Sequence, residues 1–182
     1  MAEHGSLFDI VIAGGGMAGS TLAWALLQAN PALKLAIIEQ QADNISPASF
    51  DSRSIALAAA STGLLKHWGL WAELEPKACA IAHIRVSDRG HFGKTDLSAA
   101  EYQQGALGYV LEVEHLGKLL SEKLAAKTQV SWFAPASISN ITPLQDKQLL
   151  TLADGQQLSS KLLLIAEGGL SQSRALAGFS VN

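Results

Sequence analysis

Gly14, Gly15, Gly16 and Gly19, together with Glu39, are the residues whose types and spacing most clearly suggest chemistry. The run Gly14-Gly15-Gly16-Met17-Ala18-Gly19 has the spacing Gly-x-Gly-x-x-Gly. That spacing suits binding of a dinucleotide pyrophosphate. The first glycine makes a tight turn, the second lets backbone approach the phosphates, and the third allows a helix to pack closely on a strand. Backbone N–H groups at a helix start would face the anion, with the positive end of the helix dipole behind them. Met17 and Ala18 lie inside that run and would present their amides to the phosphates. Glu39 would accept hydrogen bonds from a ribose diol, and its charge would repel a 2′-phosphate, so the pattern points to FAD or NAD and away from NADP.

The elements that must position these residues are legible around them. Leu7–Ala13 is an apolar run ending at the glycines and reads as a strand. Ser20–Leu27 has helical composition. A second apolar run, Leu33–Ile38, ends in Glu39. Strand, turn, helix, strand and terminal acid therefore form a βαβ unit over residues 7–39.

Composition narrows the class. The chain has 182 residues, with 48% hydrophobic and 16% charged residues. This is globular composition, with length for one sizeable core or one domain plus part of a second. A net charge of −3 gives no electrostatic case for nucleic acid. A single cysteine, Cys79, excludes an internal disulfide framework and a multi-cysteine metal site, and fits a cytoplasmic setting. Glu3 and Asp9 flank the first apolar run, which argues against a signal peptide. No apolar stretch approaches the about 20 residues of a membrane span.

Farther along, residues 40–53 are polar and turn-rich (Asn44, Ser46, Pro47, Asp51) and read as a loop. Residues 54–67 have helical composition, with Gly69 as the stop, and Leu70–Leu74 adds a helical turn. Residues 81–88 and Phe92–Leu97 form a hairpin around Asp88-Arg89-Gly90. A strand at Val110–Val113 feeds a helix over Glu114–Ala126. Val130–Phe133 and Ser137–Ile141 read as strands, and Gln148–Leu152 pairs with Gln157–Leu158 across Asp154-Gly155. Leu162–Ala166 is a continuous apolar run suited to a strand buried on both faces. A short helix covers Ser171–Ala177. The expected class is α/β, with a parallel sheet and an inserted antiparallel β layer.

Three segments carry a family resemblance. Alongside the opening motif, Phe50-Asp51-Ser52-Arg53-Ser54-Ile55-Ala56-Leu57 is similar to the Asp-x-Arg-x-x-Ala-Leu segment of flavin-dependent aromatic hydroxylases. Ala166-Glu167-Gly168-Gly169-Leu170-Ser171-Gln172-Ser173-Arg174 resembles their Ala-Asp-Gly-x-x-Ser-x-x-Arg motif. Val86-Ser87-Asp88-Arg89-Gly90-His91 adds likeness to the ubiquinone-biosynthesis branch. The resemblance implies a Rossmann-like FAD-binding domain across residues 1–182, the N-terminal portion of a longer family chain. The second flavin motif and most of the substrate sheet would lie beyond it, so the chain alone is expected not to turn over.

The implied activity is monooxygenation. NAD(P)H, a transient co-substrate, reduces FAD, and the reduced flavin uses O2 to hydroxylate a polyprenylated phenol. The flavin carries the reaction, so no catalytic side chain is assigned, and no metal site is expected. Arg53 is assigned to the pyrophosphate or flavin edge, where a guanidinium suits the charge. Arg174 is balanced between the site and a solvated helix end. Glu167 stands where the family motif has aspartate, and its extra methylene displaces the carboxylate. Val113 stands where relatives carry a polar residue near the flavin.

So apolar a substrate is compatible with a peripheral location at the inner membrane or with a ubiquinone-pathway protein complex. Exposed sheet edges are compatible with a dimer. Two rivals remain: a flavin dehydrogenase or oxidase on the same fold, and a non-catalytic nucleotide-binding module.

Asp88-Arg89-Gly90-His91 reads more simply as a hairpin turn than as a substrate contact. His4, His67, His83 and His115 lack zinc-ligand spacing. Trp24 reads as core, Trp68 and Trp71 as residues at a helix end packed on a sheet, and Cys79 as an inert buried thiol.

Overall fold

The computed structural model describes residues 6–41, 53–169 and 171–180. Most of the polar loop expected at 40–53 lies outside these residues, including Asn44, Ser46, Pro47 and Asp51, as do Phe50, Ser52, His4 and Leu170.

The elements run β1 (Leu7–Ala13), α1 (Met17–Ala29), β2 (Leu35–Ile38), β3 (Ser54–Ala58), α2 (Ala59–His67), α3 (Trp71–Leu74), β4 (Cys79–Ile81), β5 (His83–Ser87) and β6 (Lys94–Ser98). They continue with β7 (Gly108–Glu112), α4 (Val113–Ala125), β8 (Val130–Phe133), β9 (Ile138–Pro143), β10 (Gln148–Leu152), β11 (Gln157–Ile165) and α5 (Gln172–Leu176). The chain divides into two compact units, Met1–Phe50 with Gly117–Asn182, and Asp51–Leu116.

The first unit is built on a six-stranded sheet of order β8-β2-β1-β11-β10-β9. β8, β2, β1 and β11 are mutually parallel, while β10 runs antiparallel to both β11 and β9. β1 is central, and Val11, Ile12 and Ala13 are fully buried, as a strand covered on both faces requires. α1 buries Gly19, Ser20, Ala23, Trp24 and Leu27, spaced as one helical face. Lys123 on α4 and Lys127 just after it lie 5.9 and 5.3 Å from the Trp24 ring, cation–π contacts that hold α1 beside this part of the chain.

Register sets the site. Ala13 pairs with Ile38 on one side and Ile165 on the other, so β1, β2 and β11 finish level. The residues that follow these ends are Gly14, Glu39 and Ala166. These are the carboxyl ends of parallel strands, and ligands of open α/β sheets bind outside such ends.

The second unit holds a three-stranded sheet of order β3-β7-β4 and the β5–β6 hairpin. Trp71 packs edge-on against Tyr109 of β7, ring centroids 4.8 Å apart, as expected of a tryptophan packed on a sheet. Gly69, at φ +70°, ends α2: its N–H donates to the Lys66 carbonyl and that of Leu70 to the Leu65 carbonyl. The Asp88–His91 run is a hairpin turn, with Gly90 at φ +89°.

The structure corrects four sequence expectations. Residues 54–67 are not one helix, because Ser54–Ala58 pairs with β7 as a strand before α2 begins. Ladder bonds there override the helical preference of an alanine-rich run. Gln157–Leu158 and the later apolar run are one nine-residue strand, β11. Leu162 is 46% exposed, so that strand is not buried on both faces throughout. Cys79 is exposed, not buried, because β4 is a short edge strand paired with β7 alone.

Candidate functional site

The turn after β1 is shaped by contacts that leave no room for side chains. Gly14 has φ +103°, and a Cβ there would come within 2.6 Å of the Ala166 carbonyl oxygen. Its N–H donates to the Ile38 carbonyl at 2.8 Å, while the Ala166 N–H donates to Ala13 at 2.7 Å, so the turn is tied to both neighbouring strands. A Cβ on Gly19 would overlap the Gly14 carbonyl and meet Ile12 Cγ2 at 3.2 Å. The third glycine thus brings α1 against the turn itself as well as against the sheet.

Gly15 is required for a reason the sequence motif does not contain. A Cβ there would lie 2.8 Å from Trp132 Cζ3 and 3.2 Å from Glu39 Cβ. Trp132 belongs to β8, far along the chain, so nothing local signals this contact.

Gly16 differs from the other three glycines of the motif, since a Cβ added to it meets nothing within 4 Å. It is the N-cap residue of α1, where no side chain caps the helix and the first turn carries no acidic residue. The opening N–H groups of α1, those of Met17 and Ala18 included, have no carbonyl one turn earlier in the helix to bond. The helix start therefore offers donors and a positive dipole end.

Glu39 closes the other side. It is 7% exposed, and its two carboxylate oxygens accept the Gly15 N–H at 2.8 Å and the Gln41 N–H at 2.9 Å. Such charge-assisted bonds fix the carboxylate and leave about two of its four lone-pair positions for another donor. Its backbone donates to Phe133 at 2.9 Å and accepts from Ala136 at 2.7 Å, which pins β2 to β8 at this level. Ser20 Oγ donates to the Gly15 carbonyl at 2.7 Å and steadies the turn from the helix side.

These residues line a cleft of about 260 Å³ formed by Gly14, Gly16, Ile38, Glu39, Gln41 and Glu167. The structure thus gathers Gly14, Gly15, Gly16, Met17, Ala18, Gly19 and Glu39 at one place, as their spacing predicts. Arg53 belongs to the other unit, exposed ahead of β3, where its carbonyl accepts the Val113 N–H at 2.9 Å.

Glu167 also lines the cleft, and the sequence leaves it without a role. Its Oε2 accepts from Ser171 Oγ at 2.8 Å and from the Ser173 N–H at 3.0 Å, and its Oε1 accepts from Ser173 Oγ at 2.7 Å. An acid followed by serines four and six positions later, ahead of a short helix, was the available signal. Arg174 lies in the last turn of that helix, and its N–H donates to Ser171 Oγ at 3.1 Å.

Among the described residues no cluster of three or more His, Cys, Asp or Glu side chains could hold a metal ion, and no helix is long and apolar enough to cross a membrane.

A βαβ unit with a glycine turn, an uncapped helix start and a buried acid at the second strand's end defines a dinucleotide-binding fold of the Rossmann type. Residues 8–182 match the FAD binding domain family, and the chain belongs to it. It is 33% identical over 174 residues to the ubiquinone hydroxylase UbiL of Rhodospirillum rubrum, covering 95% of this chain and 40% of that protein. It is 31% identical to the 3-demethoxyubiquinol 3-hydroxylase of Escherichia coli, covering 96% of this chain and 44% of that one. The chain therefore spans less than half the length of these relatives. In fold it is similar to the p-nitrophenol 4-monooxygenase PnpA of Pseudomonas putida, with a TM-score of 0.77, 19% identity, and coverage of 97% of this chain and 45% of that chain.

Proposed function

We propose that the cleft at the ends of β1, β2 and β11 binds the ADP half of FAD, and that the chain is the FAD-binding portion of a ubiquinone-biosynthesis hydroxylase. The observation that carries this reading is the contrast among the glycines. Gly14, Gly15 and Gly19 have no room for a Cβ because protein atoms fill the space, whereas Gly16 faces open space beside the uncapped start of α1. A pyrophosphate at that helix start would receive the N–H groups that have no intrahelical partner.

In this reading the backbone of Gly14, Gly15, Gly16, Met17, Ala18 and Gly19 cradles the pyrophosphate. Glu39, already held by two backbone donors, accepts the ribose diol with its remaining lone pairs. The same negative charge disfavours a 2′-phosphate. FAD, when bound, supplies the redox and oxygen-transfer chemistry, so the protein's part is to bind, orient and exclude water.

The relatives' names, a ubiquinone hydroxylase and a 3-demethoxyubiquinol 3-hydroxylase, support a prenylated phenol as substrate, and O2 and NAD(P)H as co-substrates belong to the same proposal. Peripheral attachment at the inner membrane, a pathway complex and dimerisation belong to the same proposal.

Titration of the purified chain with FAD, ADP and 2′-phospho-ADP-ribose, followed by flavin fluorescence and calorimetry, tests it. The reading expects FAD and ADP to bind and the 2′-phosphate ligand to bind at least about tenfold more weakly. Equal affinity for all three, or none for FAD, would overturn it.

A further inference from the structure

We propose that the tip of the β5–β6 hairpin is a lipid-contacting element: Phe92 enters the interface of an anionic membrane, and Arg89 and Lys94 bind its headgroup phosphates. The inference rests on the peripheral attachment proposed above and supplies a surface for it.

The hairpin is amphipathic. Among the described residues β5 and β6 pair only with each other, in a two-stranded sheet. Their register sets Ile84 opposite Leu97 and Arg85 opposite Asp96, so successive pairs alternate between an apolar and a polar face. Val86 shares the face of Ile84 and is more than half exposed, and Phe92 at the tip is fully exposed. Gly90 and Gly93 flank His91 and Phe92, and a Cβ on either glycine would meet nothing within 4 Å, so the tip projects.

A single exposed phenylalanine is ordinary, and the charge around this one sets it apart. The chain carries a net charge of −3, yet the turn holds Arg89 and Lys94, neither ion-paired among the described residues. The acid of the turn, Asp88, is held by His91 at 2.9 Å, and Asp96 below it is held by Arg85 at 2.6 Å. The tip is therefore positive in an acidic protein.

Area and charge favour lipid over a protein partner. A protein interface takes about 800 Å² from each side and is depleted in lysine at its core. A narrow turn with one aromatic side chain between cations does not match that. A membrane interface requires an apolar side chain to insert and cationic heads that stay at the phosphates, which this turn provides. Each cation near an anionic surface strengthens binding about fivefold. One phenylalanine with two cations gives weak, reversible attachment.

The test is cosedimentation of the full chain with phosphatidylethanolamine–phosphatidylglycerol vesicles, against phosphatidylcholine vesicles. Phe92→Ser and the double variant Arg89→Gln/Lys94→Gln are compared with the parent, and matching unfolding midpoints establish that these exposed changes leave the fold intact. The parent should favour the anionic vesicles by about tenfold or more. Phe92→Ser should weaken that binding about tenfold, and the double variant should lose the preference for phosphatidylglycerol. Anionic-vesicle binding that neither variant weakens would overturn the tip and leave peripheral attachment standing. A parent that binds neither vesicle would overturn both. Dimerisation of such a parent, lost in Phe92→Ser, would assign the tip to a second copy. The assay contains no FAD, so the cofactor reading is decided separately.

Discussion

The Glu39 carboxylate accepts the Gly15 backbone N–H at 2.8 Å in a buried setting. The acid that ends β2 thus organises the turn that ends β1, before any ligand is considered. The glycine turn and the ribose acid are usually described as two contacts on one cofactor. In this chain they are also bonded to each other.

Glu39→Ala should therefore damage the fold as well as the site. It leaves the Gly15 N–H buried without an acceptor, a loss of about 1–3 kcal/mol. Urea unfolding should show a lower midpoint with an unchanged slope. A variant as stable as the parent would mean that the turn does not depend on the carboxylate.

Gly15→Ala sets a methyl group against Trp132 Cζ3 at 2.8 Å, and overpacking of this kind costs about 1–3 kcal/mol. Combining it with Trp132→Leu should recover part of that loss, because the end of the indole that obstructs the methyl is removed. Comparison of the three unfolding curves checks the coupling, and purely additive effects would argue against the contact.

How much of this was legible in the sequence follows from where each interaction lies along the chain. β1, α1, β2 and Glu39 are neighbours in sequence, so apolar runs, glycine spacing and a terminal acid were enough to place them. Ser54–Ala58 was misread because its partner, β7, is distant and its alanines favour helix in isolation. The Gly15–Trp132 contact was illegible because it depends on β8 lying beside β2, a matter of sheet order. The buried carboxylate of Glu39 and the partly buried one of Glu167 both serve backbone or serine donors, and only the second left a local trace in its serine spacing.

Cys79 should react with a thiol reagent in the native state. Its exposure on an edge strand predicts modification of one thiol by Ellman's reagent without denaturant. Reaction only after unfolding would return it to the buried class that the sequence suggested.

Asp9 gives a pH-dependent contribution at the far end of β1. Its carboxyl is held below its ordinary value of 3.8, first by the Lys161 ammonium at 2.7 Å and then by the Lys34 backbone N–H at 2.9 Å. Because the folded value lies below the unfolded one, this stabilisation is present above the ordinary carboxylate pKa and fades as pH falls through the folded value. Asp9→Asn should lower stability at neutral pH and flatten the acid limb below about pH 4. Identical stability–pH curves for the two proteins would show that the pair contributes nothing.

The central claim is that Gly16 is kept open for a ligand and not for the fold. Gly16→Ala adds a methyl group that meets no protein atom within 4 Å, at the mouth of the cleft. Measuring FAD affinity and unfolding free energy on this single variant tests that claim most directly. The account predicts a stability loss of about 1 kcal/mol at most, the difference between glycine and alanine as an N-cap, and FAD binding weakened by tenfold or more. Unchanged FAD affinity in an equally stable variant would contradict it.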